Sequence, residues 1–383
     1  MKFIHTADWH LGKLFYGQYL TDEQEWYLKH QFLPLLDEEK PDVVFLAGDV
    51  YDRSVPPSEA VDLFDWAISE IVGVRHIPFL VISGNHDSAE RLSFGSRLLA
   101  SSGLYIAGDL SRMTGPIFLS DAAGKVAFAP LPYIETAQVR TALSREDLRT
   151  HEEAEQALSE WMLAQIPEGT RRIAIAHDFV TASGVTAVES DSERPLAIGG
   201  AEAVSADIFQ PYQYTALGHL HGPQKAGAET IRYSGSLLKY SFSEEHQKKG
   251  AVIGEIDSEG QVSVRFEALS PRRDVRTVQG TLEELLALDD PAPEDFLQAD
   301  LMDEKPQLNV MDRLRDRYPN MMTIRTHFHF AADDGDRSLA RQKVGMFDMV
   351  QAFAEEARQG HRLDSAEEAL LKDILKEIGG DAL

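Results

Sequence analysis

Apolar and polar positions along this chain fall into a recurring unit. Five short apolar runs each stop at a polar residue. Residues 2–7 (KFIHTA) run into Asp8, 42–48 (DVVFLAG) into Asp49, and 79–84 (FLVISG) into Asn85. Residues 172–176 (RIAIA) run into His177, and 214–218 (YTALG) into His219. Each run has the length and apolarity of a strand buried on both faces. Between them lie helical patterns. Residues 21–38 open at Thr21 or Asp22 and carry Trp26, Leu28, Phe32 and Leu36. Residues 58–72 open at Ser58 and carry Val61, Phe64, Ile68 and Ile71. Residues 151–165 form a third candidate. Strand–helix–strand order predicts an α/β fold with a largely parallel sheet. Ligands in such sheets collect at the C-terminal ends of the strands, where all five polar residues fall.

A strand-rich stretch follows at 230–238, 251–257 and 261–269, with a turn at Ser258-Glu259-Gly260. The pattern predicts a second sheet of the same core. Residues 270–276 (SPRRDVR) read as a linker, with Arg272, Arg273 and Arg276 open to either surface or phosphate roles. Beyond it the pattern changes to a smaller α+β unit. It has a helix in TLEELLALDD, a break at PAPEDF, a strand at 320–330, and helices at 337–358 and 364–378. The last helix has Ser365 and Glu368 at capping-box spacing, and a stripe of Leu370, Leu371, Ile374, Leu375 and Ile378. The expected domains are therefore 1–275 and 276–383.

Composition narrows the chemistry. The 383 residues include no cysteine, so disulfides and thiolate metal sites are excluded, and any metal is held by nitrogen and oxygen. The start, MKFIHTADWH, has no long apolar segment or cleavage site, and no run approaches the roughly 20 apolar residues of a membrane helix. The expectation is a cytoplasmic protein without membrane contact. The net charge of −26 counts against a free-standing DNA binder, because phosphates repel an acidic field. Contact with DNA then needs local cations, a metal centre or a partner that supplies positive charge.

Each polar cluster is ambiguous alone. Asp8-Trp9-His10 and Gly48-Asp49 are common at turns, His177 fits a half-buried structural histidine, and His219-x-His221 fits a ligand pair or a loop. GNHD (84–87) places an amide, an imidazole and a carboxylate where they do nothing for a core. Together the five clusters make a coherent donor set. Two divalent cations about 3.5–4 Å apart need a bridging carboxylate and several ligands each. Asp49 suits the bridge. Asp8, His10 and one of the paired histidines suit one ion, and Asn85, His177 and the other suit the second. His327-Phe-His329 lacks a carboxylate or glycine frame and is set aside as a metal site.

In this order the blocks DWH, GDVYD, GNHD, His177 and GHLH resemble the signature of the calcineurin-like metallophosphoesterases. HTADWHLGK, GDVYDRSVPPSEAV, SDSERPLAIGG, YTALGHLHGPQ and YSGSLLKYSFSE are similar to the bacterial SbcD nucleases, most densely over 1–250. The resemblance implies a four-layer α/β/β/α sandwich with a smaller α+β C-terminal capping domain. It implies two-metal hydrolysis of DNA phosphodiester bonds, as a double-strand exonuclease and a single-strand or hairpin endonuclease. It assigns His221, Asp8 and His10 to one ion, His219, Asn85 and His177 to the other, and Asp49 to both. The implied ions are Mn²⁺, with Mg²⁺ as the alternative. His86 takes the transition-state or leaving-group role. Asp52 assists it, although relatives outside bacteria tend to have histidine there. Lys13 and Arg53 are candidate DNA contacts, each equally readable as a surface cation. The implied assembly is a homodimer with two copies of an SbcC-type ATPase. The stripe on helix 364–378 and the one around Leu339, Val344, Phe347 and Val350 are candidate docking faces, the first preferred and the second read as covering the smaller unit's sheet. Two other readings are a phosphatase or cyclic-nucleotide phosphodiesterase on the same scaffold, and a non-catalytic scaffold. The full ligand set weighs against the second of these.

Overall fold

The computed structural model describes residues 1–182, 184, 187–193, 203–305, 307–326, 351 and 363–377. The expected helix at 337–358 (residue 351 apart) and His327-Phe-His329 lie outside them. Contacts divide the chain into residues 1–328 and 329–383. No described helix is long and apolar enough to cross a membrane.

The first unit is built on two six-stranded sheets. In the first, β1 (Lys2–Thr6), β2 (Val43–Ala47), β3 (Phe79–Ile82) and β4 (Leu104–Ala107) run parallel. The second holds β5 (Ile117–Asp121), β6 (Gly124–Leu131), β7 (Arg171–His177), β8 (Tyr214–Gly218), β9 (Gln224–Lys225) and β10 (Ile231–Tyr233). There β6, β7, β8 and β10 are parallel, with β5 and β9 antiparallel at the edges.

Strand residues alternate between faces, and this sorts the core into layers. Phe3, Phe45, Leu80, Phe128, Ile173, Ile175 and Tyr214 pack between the sheets. Ile4, Val44, Leu46 and Val81 point outward onto Trp9, Phe32, Phe64 and Ile71, on the helical side of the first sheet. Ala129, Leu131, Ala174 and Leu217 point outward onto Val139, Leu158 and Met162. The result is the expected four-layer α/β/β/α sandwich.

One expectation is corrected. Residues 250–256 and 262–268 do not complete the second sheet. They form β11 (Gly250–Ile256) and β12 (Val262–Ala268), which extend the first sheet antiparallel to β1. Only β10 of that stretch joins the second. Gly254 lies opposite Phe3, and a Cβ there would come within 2.1 Å of the Phe3 ring, so the missing side chain permits this pairing.

The helices follow their predicted spans with two local changes, wide turns at Leu28–Phe32 and at Ser69–Val74. Thr21–Tyr27 continues through a wide turn at Leu28–Phe32 into Leu33–Glu39. Leu33 N–H donates five residues back, to Leu28 O. Pro34 explains this first adjustment, because it has no N–H for the regular ladder.

The linker reading of 270–276 is also changed. β13 (Val275–Gly280) opens a three-stranded parallel sheet with β14 (Phe296–Leu301) and β15 (Met321–Thr326). Its own core includes Leu282, Leu285, Leu297, Leu314 and Tyr318. Arg272 and Arg273 pair with Glu23, and Arg276 pairs with Asp290 and Asp295, so all three arginines are structural tethers. In the second unit the helix Ser365–Glu377 is present. Its cap lies one residue earlier than the spacing suggests. Asp364 Oδ1 accepts from Glu367 N at 2.9 Å, and Glu367 Oε2 accepts from Asp364 N at 3.0 Å.

Candidate metal centre

The loops after β1, β2, β3, β7 and β8 converge at one end of the sandwich. Backbone bonds join the first two, from Asp8 N to Gly48 O and from His10 N to Asp49 O. Asp8, His10, Asp49 and His219 all have positive φ, at 51°, 44°, 47° and 105°. Such backbone is unfavourable for residues with a Cβ and persists where surrounding structure enforces it. Here it turns four polar side chains toward one point. Glycines make room. A Cβ on Gly84 would lie 2.2 Å from Asp49 Oδ1, and one on Gly218 would lie 1.8 Å from Ala47 O.

Three groups of potential ligands result, each with its atoms within 4.8 Å of one another: Asp8, His10 and His221; His10, Asp49 and His86; Asp8, Asp49 and His177. Asp49 Oδ2 lies 3.6 Å from His10 Nε2 and 3.5 Å from His177 Nε2. Asn85 Oδ1 is 3.0 Å from His177 Nε2. His10 and His221 face each other through their Nε2 atoms at 3.1 Å. His219 stands outside the three groups, with its ring against His177 at 5.6 Å between centroids. The two histidines of GHLH therefore approach different neighbours.

A family model described as calcineurin-like phosphoesterase matches residues 1–223, which contain all of these side chains. The chain belongs to the calcineurin-like phosphoesterases. A second model, described as the type 5 capsule protein repressor C-terminal domain (SbcD_C), matches residues 271–355. The chain is 35% identical over 326 residues to the SbcD subunit of the SbcCD nuclease from Staphylococcus epidermidis, covering 85% of each chain. It is also 35% identical to the protein of the same name from Staphylococcus saprophyticus, covering 85% of this chain and 84% of that one.

This phosphoesterase site has a donor set that fits divalent cations. Asp8 and Asp49 are buried, and among the described residues no lysine or arginine forms an ion pair with either. Among the described residues, His10 Nδ1 is buried without a hydrogen-bond partner. Oxygen and imidazole nitrogen without thiolate suit Mn, Mg, Fe or Zn. Electrostatics show what metal-free charge balance requires. Burial pushes Asp8 well above the usual carboxylate range. Burial alone would also raise Asp49, but the His177 imidazolium overrides it and holds Asp49 well below that range. His177 is disfavoured as a cation by burial, yet Asp49 beside it drives its pKa up to about 10. Burial lowers His10 and His221, and takes His219 down to about 3. Three histidines are thus held neutral and ready to donate lone pairs, while His177 must first release a proton.

The auxiliary residues are arranged differently from expectation. His86 Nδ1 meets the backbone carbonyl of Asp52 at 2.8 Å, and its Nε2 lies 4.0 Å from Asp49 Oδ2. The Asp52 carboxylate pairs with Lys13 at 2.8 Å and lies 3.8 Å from both Arg53 and His10 Nδ1. Lys13 and Arg53 therefore sit beside the site but share one carboxylate.

Sequence reasoning missed several residues that brace the loops. The Asp87 carboxylate accepts from Gly84 N, Val50 N and Tyr51 N at 3.0–3.1 Å. Burial, then the Asp49 charge, raises its pKa to about 7. Gln24 donates to Trp9 O and His10 O, and Tyr240 OH donates to Trp9 O. The Tyr240 ring packs edge-on against His10 and His221. Asp87 was legible as part of GNHD. Tyr240 lies in the segment 233–244 that carries the family resemblance. Gln24 has no local signal.

Proposed function

We propose that this protein is the nuclease component of an SbcCD-type complex. It hydrolyses DNA phosphodiester bonds at ends and secondary structures with two divalent ions, most fittingly Mn²⁺, and works with an SbcC-type ATPase. The observation that carries this reading is the ligand cluster at five strand ends, in a chain 35% identical over 326 residues to a named SbcCD nuclease component.

Asp8, His10 and His221 would hold one ion, and Asn85, His177 and His219 the other, with Asp49 between them. Bound there, the ions supply Lewis acidity toward phosphate and acidify water. The chain's own residues do the rest. Asp52 O fixes His86 Nδ1 as a donor, so the proton that His86 exchanges with the leaving 3′ oxygen is at Nε2. Lys13 and Arg53 provide cationic contacts for the DNA backbone once a phosphate competes with Asp52. The acidic chain relies on its partner for most of the positive field.

Phe94 and Leu98, 82% and 80% exposed after the GNHD loop, are the apolar surface assigned to the homodimer contact. The helix Ser365–Glu377, with Leu370 exposed, is assigned to the ATPase. The sheet from Val275 onward, with its own core, begins the C-terminal module. The test is cleavage of blunt, recessed and hairpin DNA with Mn²⁺, with and without the ATPase. Hydrolysis of small aromatic phosphate esters without any DNA cleavage would overturn the proposal in favour of a phosphatase.

A further inference from the structure

We infer that Glu244, pinned by Lys249, is a positioning residue that fixes the tautomer of His221, so that His221 offers its Nε2 to an ion. The inference rests on the metal-site reading above. The site histidines differ in what stands behind Nδ1. For His177 it is the Ala47 carbonyl at 2.9 Å, and for His86 the Asp52 carbonyl. His221 Nδ1 instead meets Ser192 Oγ at 2.7 Å and Glu244 Oε1 at 3.2 Å. The Ser192 hydroxyl also contacts Glu244 Oε1 in a short bond, and an ionised carboxylate can only accept. The serine proton therefore goes to Glu244, and its oxygen accepts from His221. Both neighbours of Nδ1 are acceptors, so Nδ1 carries the proton and Nε2 presents its lone pair toward His10.

Lys249 makes this arrangement rigid. Its buried ammonium has three protons and four acceptors within reach: Glu244 Oε2 at 2.6 Å, and His221 O, Ser236 Oγ and Gln247 Oε1 at 2.8 Å. One cation thus holds both the carboxylate and the backbone of the histidine it orients. As a stability device alone, such a buried pair is often no better than apolar residues of similar size. A carboxylate behind a ligating imidazole fixes its orientation and raises its basicity, and losing it typically costs about 10–100-fold in metal affinity.

The test is calorimetric titration of Mn²⁺ into the full chain, with thermal unfolding of the metal-free protein as the control for folding. For Glu244→Gln we expect one of the two binding steps to weaken about 10–100-fold while the other changes less than about threefold. If that variant does not fold, Glu244→Gln/Lys249→Met removes the pair together and carries the same expectation. Ser192→Ala, which leaves the carboxylate free to reach Nδ1 directly, should weaken that step less than Glu244→Gln does. Equal weakening of both steps, no weakening of either, or a larger effect from Ser192→Ala would overturn the inference. A wild-type chain that fails to take up two ions would instead overturn the reading of the site on which it rests.

Discussion

Gly218→Ala should damage the metal centre through space alone. Gly218 ends β8 in the second sheet, and the atom nearest its hypothetical Cβ is Ala47 O at the end of β2 in the first. The separation would be 1.8 Å, and the His177 Nδ1 atom would lie 2.8 Å away. An ordinary contact needs at least 3.4 Å, so the sheets must part by roughly 1.6 Å at the point where their ligand loops meet. Both obstacles are fixed: one is backbone, and the other is a ring bonded to that same carbonyl. Overpacking of this kind costs about 1–3 kcal/mol or more. The displacement also separates His177 and His219 from Asp49, so Mn²⁺ affinity should fall by at least about tenfold. The assay pairs thermal unfolding of the metal-free chain with Mn²⁺ titration. Gly73→Ala is the control. Among the described residues a Cβ there meets nothing within 4 Å, in a helical segment, and the change should be neutral or stabilise by up to about 1 kcal/mol. Wild-type metal affinity and stability in Gly218→Ala would refute the claim that the two sheets meet closely at the site.

Other consequences can be checked separately. Mn²⁺ binding should strengthen as pH rises from about 6 to 8, by about tenfold per unit for each proton released. The sign follows because His177, raised to about 10, must be deprotonated to bind, and the upward shift of Asp8 acts in the same direction. An affinity independent of pH over that range would contradict it. His86→Ala should retain both ions, because the other ligands remain, while cleavage falls by about 10²–10⁴-fold. Unchanged cleavage removes His86 from the mechanism. Deleting residues 364–383 should abolish co-purification with the ATPase and leave Mn²⁺-dependent cleavage of short DNA intact. Retained co-purification would move the docking surface elsewhere.

The strand ends were legible because a buried strand leaves little reason for a polar residue except at its tip. Asp8, Asp49, Asn85, His177 and His219 stand out against apolar runs, and their order carries the rest. What the sequence hides is long-range. Nothing within residues 250–268 says that they pair with β1 rather than β10, because register is set by partners far along the chain. β14 escapes notice because Gln298 and Asp300 interrupt its apolar pattern, although Gln298 is buried. Glu244 and Lys249 read as ordinary charges in SEEHQKKG, and only the folded chain places them behind His221. Lys13 and Arg53 read as free cations because the turn that brings Asp52 to them leaves no periodic trace.

The most direct measurement of the central claim is anomalous scattering from crystals soaked in Mn²⁺. Two peaks are expected about 3.5–4 Å apart, astride Asp49. One should lie among Asp8, His10 and His221, and the other among Asn85, His177 and His219. A single peak, or two peaks with His219 and His221 on the same ion, would contradict that claim.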